Sequence, residues 1–178
     1  MSAHIALLRA VNVGGRTMKM ADLVAMAGEL GLEAPRTLLQ SGNLLFEARA
    51  ADAALEARLE REIETRFGYA ADVIVRSGAE WRALIEANPY PGPAKDDPGR
   101  LMVMPLKAKP EAGALGRLRA AIEGPETADL VGRDLYLVYP LGAGASKLTI
   151  SVVEKALGVR GTARNWNTTL KLAALTGA

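Results

Sequence analysis

Arg36-Thr37-Leu38-Leu39-Gln40-Ser41-Gly42-Asn43-Leu44-Leu45-Phe46-Glu47 is the stretch whose reading decides the fold. Two apolar runs flank Ser41-Gly42-Asn43. Glycine and asparagine tolerate left-handed backbone, and serine and asparagine side chains bond their own main chain, so the segment predicts a β-hairpin. Ahead of it, His4-Ile5-Ala6-Leu7-Leu8-Arg9 is short, apolar and ends in a Gly-Gly loop, as a buried strand does. Leu23, Met26, Ala27 and Leu30 then recur at helical spacing up to Gly31. Behind the hairpin, Leu55, Leu59, Ile63 and Phe67 fall four apart, and the strand 72–76 precedes a helix carrying Trp81, Leu84 and Ile85. Residues 1–88 thus read βαββαβ plus one helix.

Four of the nine prolines crowd into Asn88-Pro89-Tyr90-Pro91-Gly92-Pro93 and the run to Gly99, a density that reads as a linker, 89–100, without helix or strand. Past it the order returns in 101–178. A strand at 101–106 leads to a helix begun near Pro110 with Leu115, Leu118 and Ile122. A hairpin of 127–131 and 135–139 turns at Gly132-Arg133-Asp134, and a helix follows with Ile150, Val153 and Leu157. Last come a weak strand at 160–163 and a helix bearing Trp166, Leu170 and Ala174. Trp81 and Trp166 are expected at matching places, each opening a trailing helix. The fold class is therefore α+β: two tandem ferredoxin-like βαββαβ units, each with an extra C-terminal helix, packed together over their otherwise uncovered sheet faces.

Composition bounds the chemistry. The 178 residues are 49% hydrophobic and 24% charged, as in globular proteins. No apolar run approaches the ~18 residues of a membrane span, and Met1-Ser2-Ala3-His4 does not open a secretory leader, so the expectation is a cytoplasmic protein without membrane attachment. Cysteine is absent, which removes disulfides, thiolate metal sites and cysteine nucleophiles. His4, the single histidine, reads as a strand residue, so catalysis would have to use carboxylates, lysine, tyrosine or water. No cofactor is expected.

Three polar motifs stand out. In Arg9-Ala10-Val11-Asn12-Val13-Gly14-Gly15, consecutive glycines between a strand and a helix free backbone N–H groups to form an anion-holding concavity, with Arg9, Arg16 and Lys19 nearby. A plain strand-to-helix connection fits as well. In Gln40-Ser41-Gly42-Asn43 two amides bracket a turn and offer paired donors and acceptors. In Arg160-Gly161-Thr162-Ala163-Arg164-Asn165-Trp166-Asn167-Thr168, Asn165 caps the last helix, while Arg164 adds charge at an already positive helix end and so calls for an anion. Gly142-Ala143-Gly144-Ala145-Ser146-Lys147 has the wrong order for a phosphate loop, and Ser146 reads as a helix cap. In this topology the exit of the first strand and the turn after the second are expected on opposite edges, roughly 15–20 Å apart.

Leu7 to Gly15, Gln40 to Asn43 and Thr162 to Thr168 together resemble the bacterial family called domain of unknown function 1697 (DUF1697), and the likeness runs essentially end to end, including Asn88-Pro89. Ala10 stands where the family often has glycine, and Ala163 where threonine is usual. The resemblance implies the duplicated α/β fold and a cytoplasmic bacterial protein, and no activity. From the residues, the favoured function is non-catalytic binding of a phosphate-bearing ligand, a nucleotide or single-stranded nucleic acid, at Arg9, Asn12, Gly14, Gly15, Gln40, Ser41, Asn43, Arg164, Asn165 and Asn167. The alternatives are an enzyme of phosphorylated or acylated metabolites with Arg9 and Arg164 as anion clamps, and a protein–protein module. Tyr136 and Tyr139 differ by three positions and point to opposite sheet faces, which weighs against base stacking.

Overall fold

Ile5-Ala6-Leu7-Leu8 leaves no polar face, and a strand apolar on both sides belongs inside a sheet. In the computed structural model, which describes residues 1–49 and 53–177, β1 (Ser2–Leu8) lies there. It pairs antiparallel with β3 (Asn43–Ala48) and with β4 (Val73–Ser77), and β2 (Glu33–Leu38) completes the order β2-β3-β1-β4. Ala6 and Leu8 face a core shared with Leu23, Met26 and Ala27 of α1 (Met20–Glu29) and Leu55, Leu59 and Ile63 of α2 (Ala53–Phe67). Each of the leucine, methionine and isoleucine side chains contributes ~1.5–3 kcal/mol on burial. His4 is packed too, its ring stacked on Phe46 at 5.6 Å. Its Nδ1 is 2.8 Å from the Ser2 carbonyl, which requires the proton on Nδ1.

β4 is an edge strand, and its outward N–H groups are met from above. The Glu56 carboxylate of α2 accepts from Val75 N at 2.8 Å and that of Glu60 from Val73 N at 2.9 Å. After β4, α3 (Gly78–Glu86) opens with a reciprocal capping box: Glu80 N donates to Ser77 Oγ, and the Glu80 carboxylate accepts from Ser77 N.

The proline-rich stretch is not free of helix. It forms α4 (Pro91–Asp96) and a 3₁₀ turn, Pro98–Arg100. The density argument fails because Pro91 and Pro93 fall among the first positions of α4, where the missing N–H has no intrahelical partner to lose.

The second sheet has the order β6-β7-β5-β8, all antiparallel, from β5 (Leu101–Pro105), β6 (Thr127–Val131), β7 (Asp134–Val138) and β8 (Arg164–Asn165). Met104, Leu135, Leu137 and Tyr139 pack with Ala114 and Leu118 of α5 (Ala114–Ala120) and Val153 and Leu157 of α6 (Ile150–Leu157). Gly132, at φ 61°, is the first residue of a two-residue loop closed by the pair Val131 and Asp134, which is glycine's place in a type II′ turn. Three local expectations need correcting. Helix α5 starts at Ala114 behind a left-handed Gly113, not near Pro110. Thr149, whose side chain accepts from Val152 N, caps α6, while Ser146 donates to Glu126. The last strand is Arg164–Asn165, with 160–163 reduced to a single bridge between Leu106 and Gly161.

The last helix, α7 (Trp166–Thr176), brings the described helices to seven, besides two 3₁₀ turns. The protein is thus mixed α+β with two four-stranded antiparallel sheets. It divides into a unit of Met1–Ala83 with the residues from Leu172, and a unit of Leu84–Lys171. In the first, Arg36 donates to the Leu175 carbonyl and Arg82 to that of Gly177. No helix among the described residues is long and apolar enough to cross a membrane.

Tyr136 and Tyr139 are both buried, and their hydroxyls donate to the carbonyls of Leu84 and Leu148. Burial pushes both phenols up, Tyr139 to about 12, with Glu126 adding to the effect. Above pH ~10 the unfolded chain sheds these protons and the folded chain keeps them, so stability falls as pH rises through that window. Arg164, lowered by burial to about 10, works in the opposite direction there, as one group against two. The urea midpoint is therefore expected to fall as pH rises from about 10 to about 12, and Tyr139→Phe to flatten the fall; an equal slope in the variant would contradict this account.

Candidate functional site

In an antiparallel pair the end of one strand lies beside the start of the next. Leu7 pairs with Asn43, so the chain leaving β1 emerges against the turn that enters β3. Leu8 N donates to the Gly42 carbonyl at 2.8 Å, and Arg9 N to that of Asp72 at 2.9 Å. The expected separation of 15–20 Å is thus overturned. The first two polar motifs touch, because β1 and β3 are direct antiparallel neighbours.

Asn12 fastens the contact. Its Nδ2 donates to the Gln40 carbonyl at 2.9 Å, and its Oδ1 accepts from Met18 N at 2.7 Å. Val11 and Met18 are sunk in the core at the two feet of the loop, and residues 13–17 between them are exposed. Gly42 has φ +77°, and a Cβ built on it would lie 2.6 Å from Val11 Cγ2 and 2.8 Å from Leu8 Cβ. No larger residue fits there without moving the loop. The backbone is left-handed at Ala10, Asn12, Gly14 and Gly15. Alternation of left-handed and other residues, as over 10–14, turns successive N–H groups toward a common concavity. Among the described residues, no acceptor meets the backbone N–H groups of 10–15.

Positive charge gathers here. The Arg9 guanidinium is 3.9 Å from the Asp72 carboxylate, both partly exposed. Arg16 lies over the Tyr69 ring, 5.6 Å from its centroid. Lys19 is the N-cap residue of α1, whose dipole presents its positive end to the loop. The Tyr69 oxygen is buried with no hydrogen-bond partner among the described residues. Burial pushes this phenol up, and the Arg16 charge works against the rise. Tyr69 was not singled out from sequence: it follows Gly68 as an ordinary post-helix residue, and only the fold brings its ring beneath Arg16.

The remaining amides have defined places. Asn43 is fully buried, and its Nδ2 donates to the Leu38 carbonyl at 2.8 Å and to Ser41 Oγ at 3.0 Å, holding the turn. Gln40 and Ser41 are exposed. In the third motif, Asn165 Oδ1 accepts from Thr168 N at 2.9 Å as the cap of α7. Arg164 is buried in β8, not poised at the helix end, and donates to Thr162 Oγ1 at 2.7 Å and to the Ala163 carbonyl at 2.9 Å. Asn167 is exposed. No cluster of three metal-ligating side chains occurs among the described residues.

Arg164 has a counterpart that the sequence reading missed. Arg76 in β4 is 1% exposed, pairs with Ile5 and donates to the carbonyl of the preceding Val75; Arg164 pairs with Val103 and donates to that of Ala163. The likeness extends outward. Leu106 N bonds the Arg133 carbonyl as Leu8 N bonds that of Gly42, and Lys107 N bonds the Arg160 carbonyl as Arg9 N bonds that of Asp72. Glu154 accepts from Gly161 N as Glu60 does from Val73 N. In this register Trp166, first in α7, matches Gly78, first in α3, and Trp81 sits three residues further on. The tryptophans are therefore not the matched pair; the arginines are.

Against known proteins, a family model described as "Protein of unknown function (DUF1697)" matches residues 1–136, ending ahead of the third motif. No curated protein matches. Among solved structures, the conserved bacterial protein SP0830 from Streptococcus pneumoniae aligns with a TM-score of 0.76 at 20% identity, covering 100% of this chain and 99% of that one, a likeness of fold.

Gly42→Ala is expected to destabilise the protein by roughly 2–4 kcal/mol through the Val11 and Leu8 clash and the left-handed backbone. Asn12→Ala is expected to lose ~1–3 kcal/mol with its two hydrogen bonds. Denaturant melts check both; a neutral Gly42→Ala would mean that the loop is not clamped against the turn.

Proposed function

The chain belongs to the family described as protein of unknown function, DUF1697, and from the loop it carries we propose a non-catalytic binding protein for a phosphate-bearing ligand. One observation carries the reading: the N–H groups of 10–15 find no acceptor among the described residues, on a backbone that alternates as an anion nest requires. Arg9, Arg16 and Lys19 supply charge around it. Gly14 and Gly15 let a ligand oxygen approach the main chain, and exposed Gln40 and Ser41 form the rim. Asn12 and Asn43 position the two walls. Arg164, Asn165 and Asn167 are secondary candidates on this reading, since the first two already serve β8 and α7.

A single nucleotide suits the loop better than a nucleic-acid strand. Stacking a strand takes exposed aromatic rings on a sheet face, and Tyr136 and Tyr139 are buried. We also propose that the chain is a tandem ferredoxin-like duplication, 1–88 and 101–178 joined by 89–100. The matched strand orders, hydrogen bonds and buried arginines support it.

A panel of nucleotides and short labelled single strands, titrated at low and moderate salt, tests the function. Binding is expected to weaken with salt and to drop about tenfold or more in Arg9→Ala and in Arg16→Ala. The stability change from losing the partly exposed Arg9 pair should stay within ~1 kcal/mol. Binding that ignores both substitutions would remove the loop as the site.

A further inference from the structure

Two lengths of chain at the candidate loop exceed their counterparts in the second sheet. By the hydrogen bonds that match Leu8 with Leu106 and Gly42 with Arg133, residues 9–19 lead from β1 to α1 where 107–113 lead from β5 to α5. Leu39-Gln40-Ser41-Gly42 join the paired Leu38 and Asn43, where Gly132-Arg133 alone join Val131 and Asp134. Both sheets are four-stranded and antiparallel, so the fold does not call for the extra residues. The two excesses fall at one corner, because Asn12 Nδ2 donates to the Gln40 carbonyl at 2.9 Å.

Each carries an apolar side chain that the fold leaves in water. Val13, the residue after Asn12, is 54% exposed, and Leu39, the residue before Gln40, is 53% exposed. Their backbone is well defined. Arg16 N donates to the Val13 carbonyl at 3.1 Å over Gly14 and Gly15, at φ 59° and 81°, the pattern of a type I′ turn. Leu39 sits at φ 63°, a left-handed backbone that a bulky side chain disfavours and asparagine accepts. A leucine there, half in solvent, gains neither full burial nor an easy conformation, and its apolar surface is open to a contact from outside the chain.

We infer that Val13 and Leu39 form a subsite for the base of a 5′-nucleotide whose phosphate is held by the N–H groups of 10–15. This placement rests on the phosphate reading of the loop and adds the residues that separate a nucleotide from a bare anion. Val13 belongs to both halves of the site: its N–H is one of those without an acceptor among the described residues, and its side chain is apolar. An inorganic anion would leave that apolar surface in water. A nucleobase has two apolar faces for aliphatic side chains to cover and a polar rim. Exposed Gln40, next to Leu39, brings a donor and an acceptor to that rim. Apolar walls with a few placed polar groups are the usual make-up of a small-molecule site.

Calorimetric titration of the full chain at low salt tests the subsite, with the four ribonucleoside 5′-monophosphates, ribose 5-phosphate and inorganic phosphate as probes. At least one nucleotide is expected to bind about tenfold or more tightly than ribose 5-phosphate, and every probe that binds should weaken in Arg16→Ala. Leu39→Asn should remove most of the nucleotide's advantage while raising the melting temperature, since asparagine accepts the left-handed backbone. Leu39→Met should keep the advantage. Equal affinity for ribose 5-phosphate and all four nucleotides, or an advantage that survives Leu39→Asn, would overturn the base subsite and leave the phosphate loop standing. A lower melting temperature in Leu39→Asn would make Leu39 a packing residue and overturn the subsite as well. No binding of any probe would overturn the loop reading and the subsite together.

Discussion

The hydrogen bond from Leu8 N to the Gly42 carbonyl is the point on which the rest of the first unit depends. It is the last rung between β1 and β3 before the chain turns out of the sheet. Because Gly42 lacks a side chain, Val11 can close over it, and Asn12 is then held where one amide reaches both Gln40 and Met18. The loop beyond is consequently a projection fixed at both feet, with its free N–H groups held in a set arrangement. An anion binding there would meet donors already ordered, and the ordering is maintained by core burial of Val11 and Met18 without help from the ligand.

Much of this fold was legible in the sequence because its elements obey simple periodicities. The four-residue spacing of Leu55, Leu59 and Ile63 gave α2, and the turn residues at Ser41-Gly42-Asn43 and Gly132-Arg133 gave both hairpins. The proline-rich stretch misled because a count of prolines ignores position, and Pro91 costs nothing as the first residue of a helix. The Ser146 cap misled because serine's hydroxyl had a better partner in Glu126, leaving Thr149 to cap. The site was legible in its residue types and not in its geometry. Arg9, Asn12 and Gln40 were visible as polar islands, yet their convergence depends on which strand neighbours which.

The matched hydrogen bonds of the two sheets show the same limit from another side. Tryptophans attract attention because they are rare, but Trp81 and Trp166 are three positions out of register. Arg76 and Arg164, ordinary in a list of residues, occupy one place in two sheets and make the same bond to the preceding carbonyl. Pattern reading weights residues by rarity, whereas the sheet places them by register. Arg76, which follows the apolar run Val73-Ile74-Val75, was the available signal, since an ion at a buried strand position is costly and has to be accounted for.

The carboxylates of Glu60 and Glu154 have a consequence for the company the protein keeps. An open sheet has edges, and an unguarded edge is a template on which another chain can add itself. Here each edge is blunted in its own way. Glu56 and Glu60 occupy the outward N–H groups of β4, and Glu154 takes the one just ahead of β8. Arg119 donates to the Ala128 carbonyl on β6. On β2, Pro35 lacks an N–H and the register slips between Glu33 and Arg36. The outward backbone groups of both sheets are thus partly taken up by charged side chains and, on β2, interrupted by a proline.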